Sequence, residues 1–195
     1  YLPFQVFLKN AEYYFYGEVG FYRYNYFYFG IGNQPVPKEM YGVDYPRAKL
    51  NLLKKIYPHL YAGVRYQYED YQITQTEPNG AFANGQVPGA PRGRTSGLGL
   101  GLFYDTRDVI FFPTKGMVAD LAYFHNAQMW GGNVRFDRFY GDISTYRTVL
   151  PNTILVGNVF SSFTWGNAPF SMRNTLYCTN EIPCFSQMLM LERRK

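Results

Sequence analysis

Two stretches of this chain contain residue types that could do chemistry. The glycine-rich run Gly97–Leu102 has the composition of a phosphate-binding loop, but no Lys-Ser/Thr pair and no helix pattern follow it. Asp105 and Asp108 are close enough in sequence to act as a pair of carboxylates. Arg107 stands between them and favours charge neutralisation over acid–base catalysis. Neither stretch therefore predicts a catalytic or nucleotide-binding site.

The remaining candidate groups are two serines, two histidines and two cysteines: Ser161, Ser162, His59, His125, Cys178 and Cys184. The serines lack the G-x-S-x-G surroundings of a nucleophile elbow. The histidines have no local partners for a metal site or a triad, so we interpret them as residues at strand ends. The cysteine spacing fits no common zinc pattern. We accordingly predict no catalytic residue, no bound metal and no cofactor.

The elements that carry these residues have the pattern of β-strands. Within 96–104, large side chains alternate with glycines, which is the period of two that strand geometry imposes. Leucines at 98, 100 and 102 share one face, and glycines at 97, 99 and 101 share the other. We expect the glycine face to allow close packing of another element against the strand.

Composition favours a transmembrane β-barrel over a soluble sheet protein. The chain has 20 Tyr and 17 Phe among 195 residues, but its mean hydropathy is only −0.29. A barrel wall needs this balance, because half of each strand faces a polar lumen and tyrosine is favoured at the membrane interfaces. The net charge of +5 comes from dispersed Lys and Arg, so we expect no nucleic-acid partner. A soluble β-sandwich is the less favoured alternative.

Eight strands are predicted from the alternation and the turn residues. They span about Phe4–Leu8, Glu12–Arg23, Arg47–Tyr57, Leu60–Thr74, Ser96–Tyr104, Met117–Gln128, Asn133–Thr148 and Thr153–Trp165. We expect a bulge in the seventh strand, because Arg135, Asp137 and Phe139 share a face. In the third strand Leu50 and Leu52 would face lipid, and Lys49 and Asn51 would face the lumen.

Loop lengths predict how the sheet is oriented. The links 24–46 and 75–95 are long, whereas the turns near residues 10, 58 and 151 are short. Bacterial barrels have short periplasmic turns and long outer loops, so the short turns, together with the 106–115 turn, are predicted to face the periplasm. No export signal precedes the first strand-like residues, and we expect one upstream of Tyr1.

The 106–115 turn and its flanks carry the most specific pattern in the chain, YDTRD followed by FFPTKG. Its residues are Tyr104, Asp105, Thr106, Arg107, Asp108, Phe112, Pro113, Thr114, Lys115 and Gly116. This pattern resembles the bacterial surface antigen family, the barrel of the BamA/TamA superfamily of outer-membrane assembly and translocation proteins. The resemblance covers residues 1–172 and includes the segments 27–33 and 166–170. Pro113 and Gly116 would set a tight re-entry into the next strand, and the three charged residues would pair with one another.

The resemblance implies an all-β, antiparallel transmembrane barrel, of which about eight strands are present, in the bacterial outer membrane. It implies outer-membrane lipid and unfolded outer-membrane proteins as partners, and no enzymatic activity. Two other functions remain open: the membrane anchor of an upstream patatin-like enzyme, and a stand-alone structural or porin-like barrel. Residues 173–195 depart from the family because they contain no glycine where an Arg-Gly-aromatic motif is expected. We interpret them as an atypical tail, read out of frame, or as a divergent outer loop.

Overall fold

A computed structural model describes residues 1–30, 37–87, 89–151, 153–172 and 184–193, the last of these by backbone alone. The chain forms one antiparallel sheet in which the strands lie in sequence order from β1 to β9. The strands are β1 (Leu2–Leu8), β2 (Tyr13–Tyr28), β3 (Glu39–Tyr57), β4 (Leu60–Thr76), β5 (Arg92–Asp105), β6 (Lys115–Asn126), β7 (Phe136–Leu150), β8 (Thr153–Gly166) and β9 (Cys184–Arg193). Two short 3-10 turns, Gln128–Trp130 and Phe170–Met172, complete it. No helix within the described ranges is long and apolar enough to cross a membrane.

The predicted alternation decides which side of the sheet each residue occupies. On β3, Leu50 and Leu52 are exposed on the outer face, whereas Leu53 on the inner face is fully buried. Leu50 lies opposite Gly17 of β2 and Tyr66 of β4, so the outer faces of neighbouring strands are in register. A face of exposed leucines along a sheet of this length is the geometry of a lipid-facing wall.

β2 and β3 are longer than the sequence predicted, so the link between them is 29–38 rather than 24–46. The added segments pair continuously, from Phe21 opposite Pro46 to Tyr28 opposite Glu39. An ion pair of 2.8 Å between Arg23 and Asp44 joins the two strands on the outer face. Proline and glycine in the returning strand suggested a loop, but cross-strand aromatic pairing keeps both segments extended.

The bulge expected within the seventh strand is not there. β6 and β7 pair without a register shift, from Lys115 opposite Arg147 to Asn126 opposite Phe136. The irregularity in β7 lies instead against β8, between Thr148 and Leu150, at the end of the strand. The prediction rested on charged and aromatic residues that share one face. β7 begins only at Phe136, so Arg135 lies outside the strand, and Asp137 pairs with His125 of β6.

The edges of the sheet are β1 and β9, and no pairing between these two strands is found among the described residues. β9 pairs with β8 from Thr153 opposite Arg193 to Ser162 opposite Cys184. The backbone of 184–193 is therefore part of the sheet. A domain boundary at residue 172 and an out-of-frame origin of 173–195 stay predictions. The open sheet is that of a partial barrel.

Candidate functional site

The turn between β5 and β6 is organised by one carboxylate. Asp108 accepts hydrogen bonds from the backbone nitrogens of Thr114 at 2.8 Å and Val109 at 3.0 Å, and also from the Thr114 hydroxyl. The backbone nitrogen of Lys115 donates to the same carboxylate at 3.3 Å. Because these donors favour the charged form, they lower the pKa of Asp108 below its ordinary value, with the Thr114 hydroxyl contributing most.

A second ion pair closes the base of the same turn. Arg107 donates to both carboxylate oxygens of Asp105, at 2.9 Å and 2.6 Å, and to the carbonyl of Ile110 at 3.2 Å. The hydrogen bonds to Asp105 raise the pKa of Arg107. Of the three charged residues expected to pair with one another, Arg107 and Asp105 do so, whereas Asp108 turns to Thr114 instead.

The ends of β5 and β6 are held together by Thr106 and Gly116. The Thr106 hydroxyl donates to the carbonyl of Met117 at 3.1 Å and accepts from the Met117 nitrogen at 3.0 Å. Gly116 has a φ of 101°, and a Cβ there would lie 2.3 Å from the Thr106 carbonyl oxygen. Only glycine fits this position. The sequence motif thus forms a polar cage, which we define as Asp105–Asp108 with Thr114–Gly116.

The inner face of the sheet carries a buried arginine that crosses a neighbouring strand. Arg65 of β4 is only 3% exposed, and its guanidinium reaches over β5 to form a two-pronged ion pair with Asp120 of β6. It also donates to the hydroxyl of Tyr140 of β7 at 3.0 Å. A Cβ on Gly101 would lie 1.9 Å from Arg65 Nε. The alternate glycines of β5 therefore leave room for a side chain that crosses β5 and joins β4 to β6 and β7.

A second polar cluster lies on the inner face of β2 and β3. Arg47 donates to Glu18 through Nε at 2.9 Å and Nη2 at 2.5 Å. The hydroxyls of Tyr22, at 2.6 Å, and Tyr16, at 3.0 Å, donate to the same carboxylate. Arg47 and Glu18 are thus paired with each other rather than with solvent, as burial requires.

On the inner face, aromatic side chains cover the end of the sheet opposite the β5–β6 turn. The link between β4 and β5 folds over the inner face. The centre of the Phe82 ring lies 4.6 Å from that of Tyr41 and 5.3 Å from that of Phe170. The Glu39 carboxylate fixes this link by accepting from the backbone nitrogens of Ala81 at 2.6 Å and Phe82 at 3.4 Å. We name this group the aromatic cap; its buried members are Tyr22, Val43, Tyr45, Tyr71, Phe82, Val87 and Phe170.

A comparison with protein-family models adds the decisive observation. The model of the Omp85 superfamily domain matches residues 6–182, which is most of the chain. The chain belongs to the Omp85 superfamily. No match to a curated protein reaches significance. Omp85 barrels are outer-membrane β-barrels of the assembly and translocation type, so the exposed leucine face is the lipid face of the wall and the Arg65 face lines the lumen.

The groups first considered for chemistry lie apart in this Omp85 wall. His59 is at the β3–β4 turn, where its ring nitrogen is 3.1 Å from the carbonyl of Asp105. His125 is 2.7 Å from Asp137 on the lipid side of β6 and β7, and the Tyr123 hydroxyl donates to the same carboxylate. No group of metal-binding side chains occurs in the part of the chain that the structure describes. Both cysteines fall outside the residues whose side chains are described.

Sequence reasoning missed two features of the inner face. The alternation cannot reveal the bridge from Arg65 to Asp120, because the two residues are 55 positions apart and on strands that are not adjacent. The available signal was the set of alternate glycines on β5, Gly97, Gly99 and Gly101, which we call the glycine strip. The aromatic cap left no usable signal, because Phe82 and Phe170 lie in links outside the alternating segments.

Proposed function

We propose that this chain is part of the barrel wall of an assembly or translocation factor, which acts in the bacterial outer membrane on unfolded outer-membrane proteins. The match to the Omp85 superfamily domain carries the proposal. We assign the chain no catalytic role: the wall spans the membrane and presents an inner face on which Arg47 and Arg65 are paired with carboxylates.

The inner face supports this function over a stand-alone pore. A water-filled porin leaves polar side chains free along its lumen. Here Arg65 and Arg47 are paired with carboxylates of the wall itself, and the aromatic cap covers the outer end. Such a wall suits a barrel that opens only when a substrate engages it. The enzyme-anchor function stays a prediction from the sequence.

The proposal is tested by inserting the full-length gene product into liposomes and adding an unfolded eight-stranded outer-membrane protein. Folding of the substrate is followed by its altered migration in unheated gels. We expect faster folding than in empty liposomes, and little ion conductance without substrate. A matched preparation carries a soluble protein in place of the gene product.

Three results would overturn the proposal. Substrate folding at the rate of empty liposomes would remove the assembly function. Steady ion conductance without any acceleration would indicate a stand-alone pore. Release of fatty acids from the liposome lipids would indicate an anchored enzyme.

A further inference from the structure

The tip of the β5–β6 turn exposes four consecutive apolar side chains. These are Val109, Ile110, Phe111 and Phe112, and the two phenylalanines are 85% and 72% exposed. The polar cage holds the backbone on both sides of them, so their presentation is built into the turn. By the loop lengths, this turn lies at the periplasmic end of the wall. Exposed aromatic rings on a fixed turn are the feature of an interaction surface rather than of a solvated loop.

Other strand ends on the same side of the wall share this character. Because the sheet is an antiparallel meander, β1, β3, β5 and β7 all end at the periplasmic edge. Each of the other three strands finishes in exposed apolar side chains: Phe7 and Leu8, Ile56 and Tyr57, Val149 and Leu150. The periplasmic ends of four strands thus carry exposed apolar side chains, and the tip is the longest run among those named.

The opposite edge of the lipid face is charged. Arg23 pairs with Asp44 there, and Asp70 accepts hydrogen bonds from Arg92 at 2.7 Å and Arg94 at 3.2 Å. Next along the wall, His125 pairs with Asp137. Because paired charges of this kind belong outside the hydrocarbon region, they mark its upper limit.

These limits leave β5 too short to fill the membrane with its own apolar residues. Its apolar outer face runs only from Leu98 to Tyr104, which is about 20 Å of strand and, at the usual tilt, about 15 Å of depth. The apolar band of outer-membrane barrels is about 25 Å tall. Below Tyr104 the chain runs into the polar cage, and the tip follows beyond it.

We propose that the tip, Val109–Phe112, enters the periplasmic leaflet of the outer membrane and extends the apolar surface of the wall below β5 and β6. Its binding partner is phospholipid, at the boundary between headgroups and acyl chains. The polar cage separates the tip from the leucine face, and the neighbouring strand ends share the apolar character of the tip. A periplasmic protein would require only a local patch. The inference uses the membrane-spanning fold and the predicted orientation, and does not depend on the assembly function.

Fluorescence quenching by brominated lipids tests the proposal. In a full-length protein in which every native tryptophan, Trp130 and Trp165 included, is replaced by phenylalanine, one tryptophan is introduced by Phe111→Trp. Leu100→Trp, in the middle of the lipid face, is the positive control. Met129→Trp, an exposed position in the link between β6 and β7 at the opposite end of the wall, is the negative control. Phospholipids brominated near the headgroup or near the acyl end report depth, and iodide reports exposure to water.

We expect the Phe111→Trp emission to shift to the blue and to be quenched most by bromine near the headgroup, with little effect of iodide. Quenching by iodide alone, as at Met129→Trp, would overturn the proposal. Protection from both quenchers would also overturn it, in favour of a protein partner. If Leu100→Trp were unquenched by bromine as well, the membrane-spanning wall itself would be refuted.

Discussion

The carboxylate of Asp108 accepts hydrogen bonds from both the backbone nitrogen and the hydroxyl of Thr114, so a single side chain closes a turn across six residues. The same carboxylate also accepts from Val109 and Lys115. The polar residues of the sequence motif thus satisfy the backbone of the turn. The apolar side chains of the tip, Val109–Phe112, stay exposed beyond these polar contacts.

Replacing this carboxylate should loosen the turn in a pH-dependent way. The pKa of Asp108 is lowered by the Thr114 hydroxyl, so the carboxylate stabilises the turn fully above its ordinary pKa of about 4 and loses this contribution as the pH falls further. Asp108→Asn should speed amide exchange at Val109, Thr114 and Lys115 at neutral pH. Hydrogen exchange with mass spectrometry in micelles measures it. Asp142→Asn is the control, and equal exchange in both variants would contradict the account.

Removing the partner of Arg65 should destabilise the wall. Asp120→Asn keeps one acceptor oxygen for Arg65 but leaves its buried guanidinium with no opposing charge, a change that costs on the order of 3 kcal/mol. The measurement is the unfolding midpoint in denaturant, read from the gel mobility of unheated samples. Asp142→Asn again serves as the matched variant, because that exposed carboxylate accepts from Asn158 at 2.6 Å. A midpoint for Asp120→Asn equal to that of the control would show that the pair contributes nothing.

The glycine strip of β5 should not tolerate a side chain. A Cβ on Gly99 would lie 2.3 Å from the backbone carbonyl oxygen of Tyr123, which cannot move without disturbing β6. Overpacking of this kind costs about 1–3 kcal/mol. Gly99→Ala should therefore lower the folded fraction after refolding into detergent. Gly157→Ala, where the nearest atom is 3.3 Å away, should fold normally. Equal yields of the two variants would argue against the packing described here.

Opening the aromatic cap should raise ion conductance. Phe82 contacts Tyr28, Tyr41 and Phe170, so Phe82→Ala removes the ring at the centre of the cap. We expect more frequent conducting events in planar bilayers and faster proteolysis of the link 77–91. Phe27→Ala removes an exposed ring outside the cap and should change neither. Unchanged conductance in Phe82→Ala would show that the cap does not limit passage.

The strands could be predicted from the sequence because one face of the wall contacts lipid and the other lines a polar lumen. On β3 the apolar Leu50 and Leu52 alternate with the polar Lys49 and Asn51. In the structure the two leucines are exposed on the outer face, and the two polar residues lie on the inner face. The pattern fades where the strands leave the membrane, because both faces then meet water or other loops. This is why the prediction of a loop was wrong for the outer ends of β2 and β3, Tyr24–Tyr28 and Glu39–Pro46.

The contacts that connect distant positions could not be read from the sequence. Arg65 reaches Asp120 because β5 offers glycines in between, and Phe82 reaches Phe170 because two links fold toward each other. Both contacts depend on the curvature and pairing of the complete sheet. For the turn motif, the residue types were predictive, but the choice of Thr114 over Arg107 as the partner of Asp108 depends on the path of the turn.

The central claim is that the sheet is a membrane wall with a lipid side and a lumen side. Nitroxide labels at single cysteines replacing Lys49, Leu50, Asn51 and Leu52, in a background with Cys178→Ser and Cys184→Ser, test it most directly. The account predicts that oxygen, which concentrates in lipid, reaches labels 50 and 52 much more than labels 49 and 51. Equal oxygen access along the four positions, or the opposite alternation, would contradict the account.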